Sequence, residues 1–206
     1  GATECLPVAS IGSDEILGDT RQLTDAGAGV CIGRPVSGLT AKIIKVSDSP
    51  IVSWDPRLEL PLGEIGEIAV KAGHASRCYY EMQTATSLAK IQDPDDQAYF
   101  HRMGDLGYFD AQGRLWFCGR KAHRVQTVQG PKYTIPCEAV FNVDPRVFRT
   151  ALVGVRQMGE MRPVLCVELE AGLPHDSHQS ILAELRRLGS LYPHTRDIDA
   201  FLFHPG

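Results

Sequence analysis

Met103-Gly104-Asp105-Leu106-Gly107 sets one carboxylate between two glycines. A carboxylate offers two acceptor oxygens, so at a strand edge Asp105 can take hydrogen bonds from two neighbouring hydroxyls, such as those of a ribose. A turn whose glycine supplies an unusual dihedral, with Asp105 capping the backbone, accounts for the same residues. Gly119-Arg120-Lys121 follows. Arg120 is a permanently charged fork donor able to reach a nucleotide, with the next residues acting as a hinge; a solvated basic linker fits equally. Gly1-Ala2-Thr3-Glu4 puts a hydroxyl beside a carboxylate. Thr3 can donate to a phosphate oxygen while Glu4 helps to hold Mg²⁺, a hard cation that takes carboxylate and phosphate oxygens together. Helix capping is the ordinary use of such a pair.

The elements that must position these residues change character along the chain. Residues 1–35 are rich in Gly, Asp and Ser and read as loops around short strands. Thr40 to Val46 and Glu67 to Lys71 carry the β-branched residues of strands, with a turn at Pro61-Leu62-Gly63. Leu106 to Phe109 and Arg114 to Phe117 flank Asp110-Ala111-Gln112-Gly113, which predicts a hairpin. The first half is therefore mainly strand, in the manner of a barrel. Beyond Gly119 a basic stretch, an alternating run over His123 to Val128 and a Gly130-Pro131 turn place a domain boundary near residue 121. A short helix from Pro136 to Val140 comes next, then strands over 151–155 and 164–169. Ser177 caps a helix with Ile181, Leu182, Leu185 and Leu188 on one face, and Phe201 to Phe203 forms a last strand. The fold class is α+β, with domains over 1–120 and 121–206.

With 206 residues, 43% hydrophobic and 22% charged, the chain has the composition of an ordinary folded domain. A net charge of −4 supplies no general attraction for nucleic acid or anionic lipid, and a small-molecule ligand is the better default. The six cysteines are dispersed, without C-x-x-C pairs, and read as reduced thiols of a cytoplasmic protein. No apolar run reaches the roughly 20 residues of a membrane span. None of His74, His101, His123, His175, His178, His194 and His204 has metal-ligand spacing. Trp116, Phe117, Tyr79 and Tyr80 read as packing residues. Arg186, Arg187 and Arg196 read as a solvated helix face and its exit, a docking surface for a partner enzyme being the alternative. The initial Gly and the final Phe203-His204-Pro205-Gly206 read as cut ends.

In order, these segments resemble the adenylate-forming superfamily of acyl-CoA synthetases, luciferases and peptide-synthetase adenylation domains. Gly1-Ala2-Thr3-Glu4 is similar to its Y-G-x-T-E motif; Gly66 to Val70 with Tyr79-Tyr80 and Thr84-Ala85-Thr86 is similar to G-E-I-x-V…G-Y-Y…A-T. His101 to Leu106 resembles R-T-G-D-L, and Gly119-Arg120 with Val125 to Gly130 resembles G-R-x-x-x-x-V-K-x-x-G. The resemblance implies the end of a large AMP-binding domain, barrel-like in part, followed by a small mobile lid. It implies that Thr3 contacts the α-phosphate of ATP, Glu4 binds Mg²⁺, Asp105 holds the ribose hydroxyls, Arg120 assists there and Ala122 is the hinge. Met103 departs from the usual Thr, Cys78 from Gly, and Ala122 from Asp or Lys. The phosphate loop is expected before Gly1 and the lysine of the last motif after Gly206. No catalytic residue is therefore assigned within the chain, and the 206-residue piece alone is expected not to form acyl-AMP.

Trp116 to Lys121, His123-Arg124-Val125 and Tyr133 to Phe141 are less generic and resemble the bacterial olefin-biosynthesis β-lactone synthetases. That resemblance implies activation of a long-chain β-hydroxy fatty acid as its acyl-AMP, then displacement of AMP by the acid's own hydroxyl, in hydrocarbon biosynthesis and beside other enzymes of that route. An intramolecular attack of this kind needs no CoA. The alternatives are a long-chain acyl-CoA ligase, which uses CoA, and a non-catalytic nucleotide-binding or interaction protein of the same fold.

Overall fold

Runs of β-branched and aromatic residues broken by glycine-bearing turns build most of this chain into antiparallel strands. A computed structural model describes residues 1–174 and 177–204; His175, Asp176, Pro205 and Gly206, and the expectations that touch them, lie outside the described residues. The chain divides into two compact units, Gly1–Gly18 with Cys31–Ala122 and Asp19–Val30 with His123–Gly206.

The first unit holds a curled sheet ordered β1-β2-β7-β6-β4-β3, with β5 paired to β6. Its strands are β1 (Ala9–Ser10), β2 (Val30–Pro35), β3 (Leu39–Ile44), β4 (Gly66–Ala72), β5 (Lys90–Gln92), β6 (Tyr99–Phe109) and β7 (Leu115–Arg120). β4 lies between β3 and β6 and is buried from Gly66 to Val70, so it reads as a continuous run rather than an alternation. One core gathers Cys5, Val8, Ile43, Ile68, Val70, Met103 and Leu115; a second gathers Ile44, Ala69, Ile91 and Phe100, on which Trp54 stacks. The expected hairpin is β6–β7, longer than the sequence pattern suggests. Asp110 builds its turn, accepting from the backbone N–H of Gln112 and Arg114 and from Arg114 Nε and Trp116 Nε1.

Residues 13–25 correct the loop expectation for the start of the chain. They form consecutive helical turns, α1 (Ser13–Glu15), a π-turn (Ile16–Thr20) and α2 (Arg21–Asp25). Residues 19–30 group with the second unit, which a single cut near 121 does not provide for. The reason is local: Gly27, at φ 85°, is seated so that a Cβ there would come within 2.8 Å of the Pro136 carbonyl and closer still to the His194 ring. Only glycine fits.

In the second unit a 3₁₀ turn (Lys121–His123), opening at the end of the first unit, leads to a hairpin of β8 (Val125–Thr127) and β9 (Gly130–Lys132). Its turn falls at Val128-Gln129, ahead of the expected Gly130-Pro131. Then come α4 (Thr134–Phe141), β10 (Val147–Gln157), β11 (Glu160–Leu169), α5 (Ser177–Ser190) and β12 (Ala200–Phe203). Antiparallel β10–β11 and parallel β11–β12 form a sheet. Its core joins Leu152, Leu165 and Val167 to Phe141 of α4 and to Ile181, Leu185 and Leu188 of α5. This unit is α+β, and the α3 helix of the first unit (Gln83–Ala89) adds a helical turn to an otherwise stranded region. No helix among the described residues is long and apolar enough to cross a membrane.

Candidate active site

Asp105 owes its placement to a bulge. β4 and β6 pair Glu67 with Leu106 and Ala69 with Arg102, so residues 103–105 face the single Ile68. Gly104 takes up the extra length at φ 66°, in the left-handed region where a side chain is strained. Asp105 thus sits inside a sheet, between β4 and β7, rather than at the strand edge expected. It pairs in register with Arg120, whose Nη1 donates to Asp105 Oδ1 at 2.7 Å. Asp105 Oδ2 makes no hydrogen bond to a described residue and remains an acceptor. The carboxylate shares the wall of a cleft of about 190 Å³ with Ile68, Met103, Leu115 and Phe117. Trp116 is buried as expected, whereas Phe117 lines this cleft.

Thr3 and Glu4 are the central residues of a tight turn in which Ala2 and Cys5 exchange backbone hydrogen bonds of 3.1 and 3.0 Å. Cys5, fully buried, anchors the turn. The pair therefore caps no helix. Thr3 is exposed, and Glu4 is held twice: its carbonyl accepts from Ser76 N–H at 2.8 Å and its Oε1 from the Tyr79 phenol at 2.7 Å. The Tyr79 bond, first among its causes, lowers the Glu4 carboxyl below the ordinary range. Burial, with Glu4 adding to it, pushes the Tyr79 phenol up to about 12, so the phenol keeps its proton. Tyr79 thus does more than pack, and Tyr80 is exposed. Ser76 in turn accepts at its carbonyl and hydroxyl from the buried Lys90 ammonium.

Arg120 feels the charge of Asp105 and also that of Glu4, which places the carboxylate turn and the bulge in one electrostatic neighbourhood. Ala122 is exposed, in the 3₁₀ turn directly after β7. Asp105 and Arg120 are therefore paired, Glu4 lies within reach of the Arg120 charge, Thr3 precedes Glu4 in the same turn, and Ala122 lies two residues beyond Arg120.

A buried charge cluster supports this arrangement and carried no role in the sequence reading. Glu67 and Arg102, each 1% exposed at the side chain, pair at 2.6 Å, and Lys121 reaches the other Glu67 oxygen at 3.0 Å. Arg102 also donates to the carbonyls of Ser47, Ser49 and Leu88, and Lys121 to that of Ser47. Such satisfaction is what a desolvated ion pair needs. Arg102 precedes the bulge and Lys121 follows Arg120, so the cluster pins both flanks of the Asp105–Arg120 pair. Both Glu67 and Arg102 fall within motif segments; burial of charge on a strand enclosed on both faces is the signal that alternation alone conceals.

Among the described residues no group of three or more His, Cys, Asp or Glu could hold a metal unaided. A single carboxylate with one uncommitted oxygen fits Mg²⁺, which is ordinarily held by one or two carboxylates together with substrate phosphates. The cysteines are all free: Cys78 is exposed, Cys166 half-buried, the others buried.

The chain's fold matches, with a TM-score of 0.70 over 100% of its length, o-succinylbenzoate CoA synthetase from Bacillus subtilis, solved with its acyl-adenylate intermediate, at 17% identity and over 37% of that chain. No family model matches. The fold is that of the adenylate-forming enzymes, and two relatives share the chain's sequence from end to end. Over 100% of its length it is 47% identical to the olefin β-lactone synthetase of Xanthomonas campestris pv. campestris and 45% identical to that of Stenotrophomonas maltophilia. It spans 37% of the length of each.

Proposed function

We propose that this chain is the ribose- and cation-holding part of an enzyme that adenylates a long-chain β-hydroxy acid and closes it to a β-lactone, releasing pyrophosphate and then AMP. The observation that carries the reading is the bulge that presents Asp105 beside Arg120 and within the electrostatic reach of Glu4. Identity of 47% to an olefin β-lactone synthetase favours the lactone over the thioester as product.

In this reading Asp105 Oδ2 accepts from a ribose hydroxyl while Arg120, held on Oδ1, keeps that oxygen from turning away. Thr3 donates to an α-phosphate oxygen. The substrate carboxylate attacks the α-phosphorus and the bond to the β-phosphate oxygen breaks. The acid's β-hydroxyl then attacks the acyl carbonyl, losing its proton as AMP leaves. Glu4 would hold Mg²⁺, which supplies charge neutralisation on the phosphates. Little covalent chemistry is asked of the protein, and the rate rests on positioning. Residues 1–120 act as the distal part of the AMP-binding domain and 121–206 as the lid, with Ala122 as hinge. The fatty acid is the partner, and the cytoplasm the location, that fit this chemistry.

The test is incubation of the full-length protein with Mg²⁺, ATP and a long-chain β-hydroxy acid, with and without CoA, with products identified by NMR and mass spectrometry. β-Lactone and AMP without CoA is the expected result. A thioester formed only with CoA would move the protein to the acyl-CoA ligases, and absence of AMP under every condition would leave a non-catalytic binding protein.

A further inference from the structure

We infer that Tyr79 is a positioning residue for the divalent cation, its phenol fixing which oxygen of Glu4 faces the metal; this rests on the adenylation reading above. Glu4 stands at the tip of a turn, where its side chain is otherwise free to rotate. One contact holds its backbone and another its side chain. Ser76 N–H ties down its carbonyl at 2.8 Å, and the phenol of Tyr79, 75 positions along the chain, engages Oε1 at 2.7 Å. Ser76 is itself fixed by Lys90, only 6% exposed, so the frame around Glu4 is built rather than incidental. With Oε1 committed, Oε2 makes no hydrogen bond to a described residue and is the oxygen presented outward. Donors that orient a ligating carboxylate matter by about 10–100-fold in metal affinity. Nothing in the apolar periodicity of the chain marks Tyr79 for this task.

The experiment follows bound Mn²⁺ by electron paramagnetic resonance in the full-length protein with a non-hydrolysable ATP analogue. It compares the unsubstituted protein, Y79F, E4Q and the double variant. Y79F, which keeps the ring and deletes only the donor, should weaken Mn²⁺ binding about tenfold or more. Affinity for the analogue in EDTA should stay unchanged, and the thermal midpoint should fall no further than the loss of one hydrogen bond allows. In the E4Q background the phenol deletion should add nothing, because its effect runs through Glu4. Unaltered Mn²⁺ affinity in Y79F overturns the inference, as does an equal loss in both backgrounds. If the unsubstituted protein binds no Mn²⁺ beside the analogue, the reading of the site fails and the inference with it.

Discussion

Asp105 divides its two oxygens between a fixed internal partner, Arg120, and an open cleft. Asp105→Ala should therefore lose the acceptor for substrate and leave Arg120 without its anchor. With hydrogen bonds to a charged group contributing about 1.5–3 kcal/mol, kcat/KM for ATP should fall roughly ten- to a hundredfold in steady-state assays. Glu67 is a different case, since no substrate reaches it. Glu67→Gln strands Arg102 and Lys121 without their buried counter-charge, and the loss should be about 3–5 kcal/mol in urea unfolding. A change of under about 1 kcal/mol would show that water enters the cluster and that it is effectively a surface pair. At this scale the sequence spoke unevenly. Glycines and the ordered motifs draw attention to Asp105 and Arg120, which the structure pairs at 2.7 Å. The Tyr79–Glu4 bond has no such marker, because it joins residues 75 apart and leaves no local pattern.

The β6–β7 hairpin is organised by one carboxylate, and its pH dependence follows. Burial pushes the Asp110 carboxyl up, but donation from Trp116 and Arg114 outweighs it and leaves the group below the ordinary carboxylate range. A carboxyl depressed in the folded state stabilises the fold above its unfolded pKa, and that stability disappears as pH falls through the folded value. Asp110→Asn should thus lower the thermal midpoint at neutral pH by more than it does in acid, where the two melting curves should converge. The hairpin itself could be read from its turn residues. The bulge at 103–105 could not, because register depends on the partner strand, and a strand buried on both faces hides the alternation that would reveal a slip. The turns over 13–25 were missed for a related reason: Ile16, Leu17 and Leu23 stay 39%, 69% and 43% exposed, so no apolar stripe announces a helix.

Two units make up the chain, and Ala122 is the last residue of the first. If it is the hinge of the lid, Ala122→Pro should slow overall β-lactone formation several-fold, while ATP affinity, which the proposed function assigns to Asp105 and Arg120, stays within about twofold. Stopped-flow and equilibrium titration separate the two. The fold class was legible at this scale from the change in patterning after Gly119, whereas the grouping of residues 19–30 with the later unit depends on the seat of Gly27 against Pro136 and His194. The burial that shapes both units also sorts their thiols. Cys118 and Cys137 are pushed up to about 12 by burial, while Cys78 stands exposed next to Tyr79. A maleimide dye applied at neutral pH should therefore mark Cys78 ahead of the others. Its fluorescence would report occupancy at Glu4 through the neighbouring Tyr79, giving an optical readout without any engineered attachment point.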